Sequence, residues 1–163
     1  MRDFNLITSD FKRIAQLGKG SYASVFLVQR RNPDNTSFGK FYAMKRMKKR
    51  TFSGNLARLV ITEKEVQRTL NHRYIIKLHY AFQTFDYLYL ISDFCPGGDM
   101  RNVINRSLGG RIQEEHAKIY LAEILIAIEE LHKNGIVHRD IKPENILIDQ
   151  KGHACLSDFG LAK

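Results

Sequence analysis

The sequence predicts an α+β fold, with a strand-rich amino-terminal part giving way near Cys95-Pro96-Gly97-Gly98 to a helical carboxy-terminal part. Three observations predict it. Short runs of β-branched and aromatic residues, each bounded by turn residues, recur as far as Phe94. One helical pattern, around Leu56 to Leu70, interrupts them. Beyond Phe94 a long amphipathic segment, Glu114 to Lys133, takes over.

Phe11 to Leu17, Tyr22 to Gln29 and Phe41 to Met47 read as strands separated by Gly18, Gly20, Pro33, Asp34, Asn35 and Gly39. Ile75 to Phe82 and Tyr87 to Phe94 read as two more, joined by a polar turn at Gln83 to Asp86. In the intervening helix Leu59, Val66 and Leu70 share one stripe, and Glu63 falls on that same stripe while Glu65 points away. A carboxylate on the core side needs a cation partner. In the later helix Ala117, Tyr120, Leu121, Ile124, Ile128 and Leu131 form the apolar stripe, and Asn134-Gly135 reads as its C-cap. Short strands follow at Ile146 to Ile148 and His153 to Ser157.

A length of 163 residues suits one domain with a sizeable core, and 44% hydrophobic with 26% charged residues is ordinary for a globular chain. The net charge of +9 favours anionic partners, among which are nucleic acids, acidic membranes and nucleotides. The densest basic run, Lys45 to Arg50, reads either as a localisation or nucleic-acid patch or as a solvated loop; no interleaved aromatics support base stacking there. Cys95 and Cys155 are far apart and form no CxxC pair, which speaks against metal ligation and a disulfide framework. The longest apolar run, Ile124 to Ile128, is far short of a membrane span, and no signal-peptide core follows Arg2 and Asp3. An intracellular, cytoplasmic or nuclear protein is expected.

Four motifs carry chemistry. Leu17-Gly18-Lys19-Gly20-Ser21-Tyr22-Ala23-Ser24-Val25 sets two glycines between strands, where backbone can turn tightly and approach phosphates. Alone it reads equally as a glycine-rich hairpin. The following strand excludes a dinucleotide fold, and no Gly-Lys-Ser/Thr ending marks a Walker A loop. In Tyr42-Ala43-Met44-Lys45 an ammonium lies in an apolar strand, and it either snorkels to water or pairs with Glu63. His138-Arg139-Asp140-Ile141-Lys142-Pro143-Glu144-Asn145 has the polar density of an active site. There Asp140 can accept a hydroxyl proton, Lys142 can neutralise a phosphate and Asn145 can offer oxygen to a metal. Asp158-Phe159-Gly160 adds a carboxylate beside a glycine.

In this order the four motifs resemble the signature set of eukaryotic serine/threonine protein kinases, over essentially Phe11 to Lys163. The resemblance implies a protein-kinase-like bilobal fold: a complete β-rich small lobe over 11–94 and the first part of a helical large lobe over 95–163. It implies that Leu17 to Val25 cover the ATP phosphates and that Lys45, braced by Glu63, holds the α- and β-phosphates. It makes Asp140 the catalytic base, puts Lys142 on the transferred phosphate, and gives Asn145 and Asp158 to Mg²⁺. Lys142 two residues after Asp140 is the serine/threonine form of the loop. Asp93-Phe94-Cys95 would be the hinge pairing with adenine through its backbone, and Asp99 would lie near the ribose. Pro96 to Met100, with Phe82-Gln83-Thr84, looks like the AGC group, which includes the ribosomal S6 kinases. By that likeness Asp99 and Glu144 would receive an arginine upstream of the target residue in a protein substrate.

Two departures stand out. Ala23 replaces the third loop glycine, and Ser92, at the residue before the hinge, is smaller than usual, so bulky adenine analogues are expected to fit. The chain ends three residues after Gly160. The activation segment, on which an upstream kinase would act, and the later large-lobe helices are therefore expected to be lacking. The isolated stretch is expected to be poorly stable and inactive. A nucleotide-binding or decoy module without catalysis is the alternative; the full set Lys45, Glu63, Asp140, Asn145 and Asp158 argues against it.

Overall fold

A computed structural model describes residues 6–20, 23–32, 38–51, 70–160 and 162. The expected helix around Leu56 to Leu70, with Glu63, lies outside the described residues apart from Leu70, as do Ser21 and Tyr22. The described residues fall into two compact units, one within Met1–Ala57 and Leu78–Phe94, the other within Arg58–Lys77 and Cys95–Lys163.

The first unit is an antiparallel sheet of five strands among the described residues: β1 (Phe11–Lys19), β2 (Ala23–Arg31), β3 (Phe38–Lys48), β4 (Leu78–Gln83) and β5 (Tyr87–Asp93), in the order β1-β2-β3-β5-β4. Period-two alternation gives the sheet two faces. Phe26, Val28, Tyr42, Met44, Tyr89 and Ile91 fall on one face and, with Phe11, build a buried cluster. Phe82 stacks on Phe11 and on Tyr89, at 5.8 Å and 4.8 Å between ring centroids. The alternate residues Val25, Ala43, Lys45, Leu90 and Ser92 therefore share the other face, with Lys45 opposite Val25 on one side and Leu90 on the other. Lys45 is half-buried there, and Gly18 pairs with Val25 at the end of the same row.

In the second unit β6 (Gly98–Asp99), β7 (Ile146–Ile148) and β8 (Ala154–Leu156) form a small antiparallel sheet, accompanied by helices α1 (Met100–Arg106) and α2 (Glu114–Lys133). Gly97 is required beside this sheet, because a Cβ there would fall 2.6 Å from the Cβ of Ile148. Helix α2 ends where expected, with Asn134 as C-cap and Gly135 at φ 71°. Its buried face is Glu123, Ile124, Ala127 and Leu131, of which the three apolar residues join Met100, Leu156 and Phe159 in one core, with Tyr120 and Ile128 packed against it. Each large apolar side chain so buried is worth about 1.5–3 kcal/mol. Leu121, expected on that stripe, is instead 64% exposed, as is Leu125. It lies one position past Tyr120, about 100° further round the helix and off the face of Ile124, Ala127 and Leu131.

Glu123 is the polar exception. It is 6% exposed, and it accepts hydrogen bonds from His153 Nδ1 at 2.6 Å and from the Ala154 amide at 2.7 Å. This anchors α2 to the strand that leads into Asp158. Ile75 and Ile76 also serve that strand rather than β4: Ile75 bridges to Leu156, and the Ile76 amide donates to its carbonyl. The expected strand from Ile75 thus begins only at Leu78.

Candidate active site

The polar residues 138–145 leave α2 through an irregular segment and end in a 3-10 turn at Pro143–Asn145. Arg139 sits in the left-handed region at φ 65°, as does Asp158 at φ 59°, and such non-glycine positions cost on the order of 1–3 kcal/mol. Both flank the same small cluster of groups.

His138, only 2% exposed, lies beneath it. Its Nε2 lies 3.0 Å from the Ser157 carbonyl, which can only accept, and its Nδ1 lies 3.3 Å from the Asp140 amide, which can only donate. The two partners together select the neutral ring with its proton on Nε2. The ring also meets Phe159 edge-on at 5.1 Å. One imidazole therefore ties the segment carrying Asp140 to the segment carrying Asp158. The Ser157 amide and hydroxyl tie them again, both donating to the Asn145 carbonyl at 2.9 Å.

Burial pushes the His138 pKa down, against the opposing pull of the Ser157 carbonyl, Asp140 and Asp158. The unfolded chain then takes up this proton at a higher pH than the folded one. Stability tied to His138 is complete above about pH 6.5 and is lost as pH falls from there toward the lower folded value. Urea unfolding between pH 7.5 and 5.5 is expected to show that loss in the wild type, and a shallower pH dependence in His138→Gln. Parallel slopes in the two proteins would contradict it.

Above His138, the Asp140 carboxylate takes both oxygens to Lys142 Nζ, at 2.9 Å and 2.7 Å, and one of them also to Asn145 Nδ2 at 2.9 Å. The Lys142 hydrogen bond is the main reason the Asp140 pKa is lowered; partial burial opposes it, and the Asn145 hydrogen bond adds to the lowering. Lys142 is raised in turn by Asp140. Both are fully charged at neutral pH. Asn145, 6% exposed, also donates Nδ2 to the Asp140 carbonyl at 2.8 Å. With its amide nitrogen spent on Asp140, the amide oxygen is the end that can face a cation.

Asn145 oxygen with the Asp158 carboxylate is an all-oxygen donor set, which suits a hard divalent cation such as Mg²⁺ rather than zinc or copper. Among the described residues no group of three His, Cys, Asp or Glu is arranged to hold a metal by itself. The pair therefore fits an ion that takes its remaining ligands from water and from phosphate oxygens.

In the first unit, the turn between β1 and β2 is closed by the Gly20 amide donating to the Ala23 carbonyl at 2.8 Å. The Asp93 side chain accepts from His79 Nε2 at 2.7 Å and from Lys40 Nζ at 3.1 Å. Burial alone would raise its pKa, but His79 and Lys40 outweigh it and hold the carboxyl at about 2. That carboxylate is engaged within the sheet. In the second unit Cys95 is buried with Ile76 and Cys155. Asp99 caps α1, accepting from the Asn102 amide at 2.8 Å and from Asn102 Nδ2 at 2.6 Å.

Sequence reasoning gave no individual role to His138, which it quoted within the polar motif, nor to Glu123 or Ser157. Glu123 carried a usable signal, since it lies three residues after Tyr120 and four before Ala127, on the buried face. His138 and Ser157 carried none, because their roles depend on contacts between separate loops. Among the described residues no helix is long and apolar enough to cross a membrane.

A family model described as "Protein kinase domain" matches residues 11–163. "Protein kinase 3" of Dictyostelium discoideum is 43% identical over 159 residues, covering 97% of this chain and 17% of that protein. Human "Ribosomal protein S6 kinase alpha-2" is 44% identical over 155 residues, covering 95% of this chain and 21% of its own length. "Protein kinase 2" of Dictyostelium discoideum is 42% identical over 158 residues, with shares of 94% and 31%. The chain thus spans less than a third of each of these relatives.

Proposed function

The chain belongs to the protein kinase family, with an AGC-type resemblance to the ribosomal S6 kinases, and on that footing we propose that it serves ATP-dependent phosphoryl transfer to serine or threonine of protein substrates. The observation that carries this reading is the Asp140–Lys142–Asn145 cluster, held on a buried neutral His138. Phosphoryl transfer asks the protein for positioning and charge neutralisation more than for covalent chemistry.

In this reading Asp140 accepts the hydroxyl proton of the substrate, and its lowered pKa is no obstacle, because a loose transition state makes little demand on base strength. Lys142 sets an ammonium against the transferred phosphoryl group. Asn145 and Asp158 hold Mg²⁺, which when bound neutralises phosphate charge. Gly18 to Val25 and Lys45 hold the ATP phosphates, with Glu63 as the partner of Lys45. The backbone from Asp93 to Cys95 takes adenine, and Asp99 with Glu144 accepts a substrate arginine. The small lobe is 11–94 and the large-lobe portion 95–163. The non-catalytic alternative, a nucleotide-binding module, has no observation in its favour.

The test is transfer of label from γ-labelled ATP to serine, threonine and tyrosine peptides by the protein at its natural length. Mg²⁺-dependent labelling of serine or threonine is expected. Nucleotide binding without transfer would favour the alternative.

Ser92 sits opposite Ala43 of β3 and Leu78 of β4. As the residue before the hinge it leaves room for an enlarged adenine. Adenine analogues with a bulky N6 substituent are expected to bind the wild type and to lose about tenfold or more in affinity in Ser92→Met, as overpacking requires. Equal binding by both proteins would rule this out.

A further inference from the structure

Of the two acids assigned above to a substrate arginine, one already holds an arginine of this chain. Arg101, in the first turn of α1, donates Nε to Glu144 Oε1 at 3.0 Å across to the turn Pro143–Asn145. Glu144 is ionised there, its pKa lowered by its own backbone amide and then by Arg101. Among the described residues the hydrogen bonds to the Asp99 carboxylate come, in contrast, from the neutral donors of Asn102.

We propose that Arg101 is a specificity-determining residue, an internal occupant of the Glu144 site that a substrate arginine must displace. The proposal rests on the arginine-accepting reading of Glu144. The two side chains are 52% and 44% exposed, so their ion pair is a weak, exchangeable contact and not a buried staple. Displacement swaps one guanidinium for another at the same carboxylate. An incoming arginine then gains less at Glu144 than at an unoccupied carboxylate, so this site's share of the arginine preference is reduced and not abolished. A purely structural role, pinning α1 to the turn, would make different demands. Losing Arg101 would then weaken the fold and slow reaction with every peptide alike.

The experiment uses the protein at its natural length and peptide pairs carrying arginine or alanine at each position upstream of the acceptor. The ratio of kcat/KM, arginine over alanine, is measured for wild type, Arg101→Ala, Glu144→Gln and the double variant. Arg101→Ala is expected to raise the ratio roughly two- to five-fold, the range an exposed ion pair spans, through a lower KM for the arginine peptide. Glu144→Gln is expected to lower the ratio, and Arg101→Ala added to it is expected to raise nothing. An unchanged ratio in Arg101→Ala beside a lowered one in Glu144→Gln overturns the role of Arg101 and leaves the subsite standing. A Glu144→Gln ratio equal to wild type overturns the subsite itself, and the role of Arg101 with it.

Discussion

Asp140→Asn is expected to bind Mg·ATP about as well as the wild type and to turn over a serine or threonine peptide about 100-fold more slowly or worse. The substitution keeps the side chain's size and one acceptor oxygen, so packing around it is spared. What goes is the anion. With it go the proposed proton acceptor and the charge that holds Lys142 through two contacts at 2.9 Å and 2.7 Å. Asn145, which donates to the same carboxylate and to the Asp140 carbonyl, keeps acceptors in the variant, so its orientation is spared. Losses should therefore appear mainly in kcat, since the role proposed for Asp140 is on the reacting hydroxyl and not on the nucleotide. A variant that loses nucleotide affinity but keeps its turnover at saturation would refute this assignment.

Phe159→Ala should unfold the second unit at markedly lower denaturant, with a loss of about 3–5 kcal/mol. Phe159 has no exposed surface, packs in the core with Leu131, Leu156 and Met100, and lies edge-on to His138. Its removal leaves a cavity and also frees the imidazole that links the Asp140 and Asp158 segments. Such a loss is large against a typical total of roughly 5–15 kcal/mol. The check is an equilibrium urea titration followed by far-ultraviolet circular dichroism, with Leu125→Ala as control. Leu125 is 64% exposed, so its truncation should move the midpoint little. Comparable shifts in the two variants would contradict the described core.

Much of the fold was legible because local pattern and tertiary partner agree. Helix α2 runs over Glu114–Lys133 as its periodicity and its Asn134-Gly135 end predict, and β7 covers Ile146–Ile148. The paired strands of the first unit differ from expectation only by a few residues at their ends. Legibility failed where contacts distant in sequence decide the outcome. The apolar run from Ile75 was divided because Ile75 and Ile76 bond to Leu156. Helix α1 was overlooked because Met100–Arg106 is short and mostly polar, and it relies on its Asp99 cap.

For the site, the residue types in the loop from His138 to Asn145 announced polar chemistry. Nothing in their order announced that His138 would be buried and neutral. That follows from the Ser157 carbonyl, which the chain brings back through β8. Nor did the sequence show Arg101 lying against Glu144, since the two are brought together only by α1 packing beside the turn.

The most direct measurement is calorimetric titration of Mg·ATP into the purified protein, with Lys45→Met and Asp158→Asn alongside. The account predicts saturable binding that needs Mg²⁺, is abolished or greatly weakened in Lys45→Met, and loses its Mg²⁺ dependence in Asp158→Asn. A folded wild type that fails to bind Mg·ATP, or variants that bind it as tightly and with the same Mg²⁺ dependence, would contradict it.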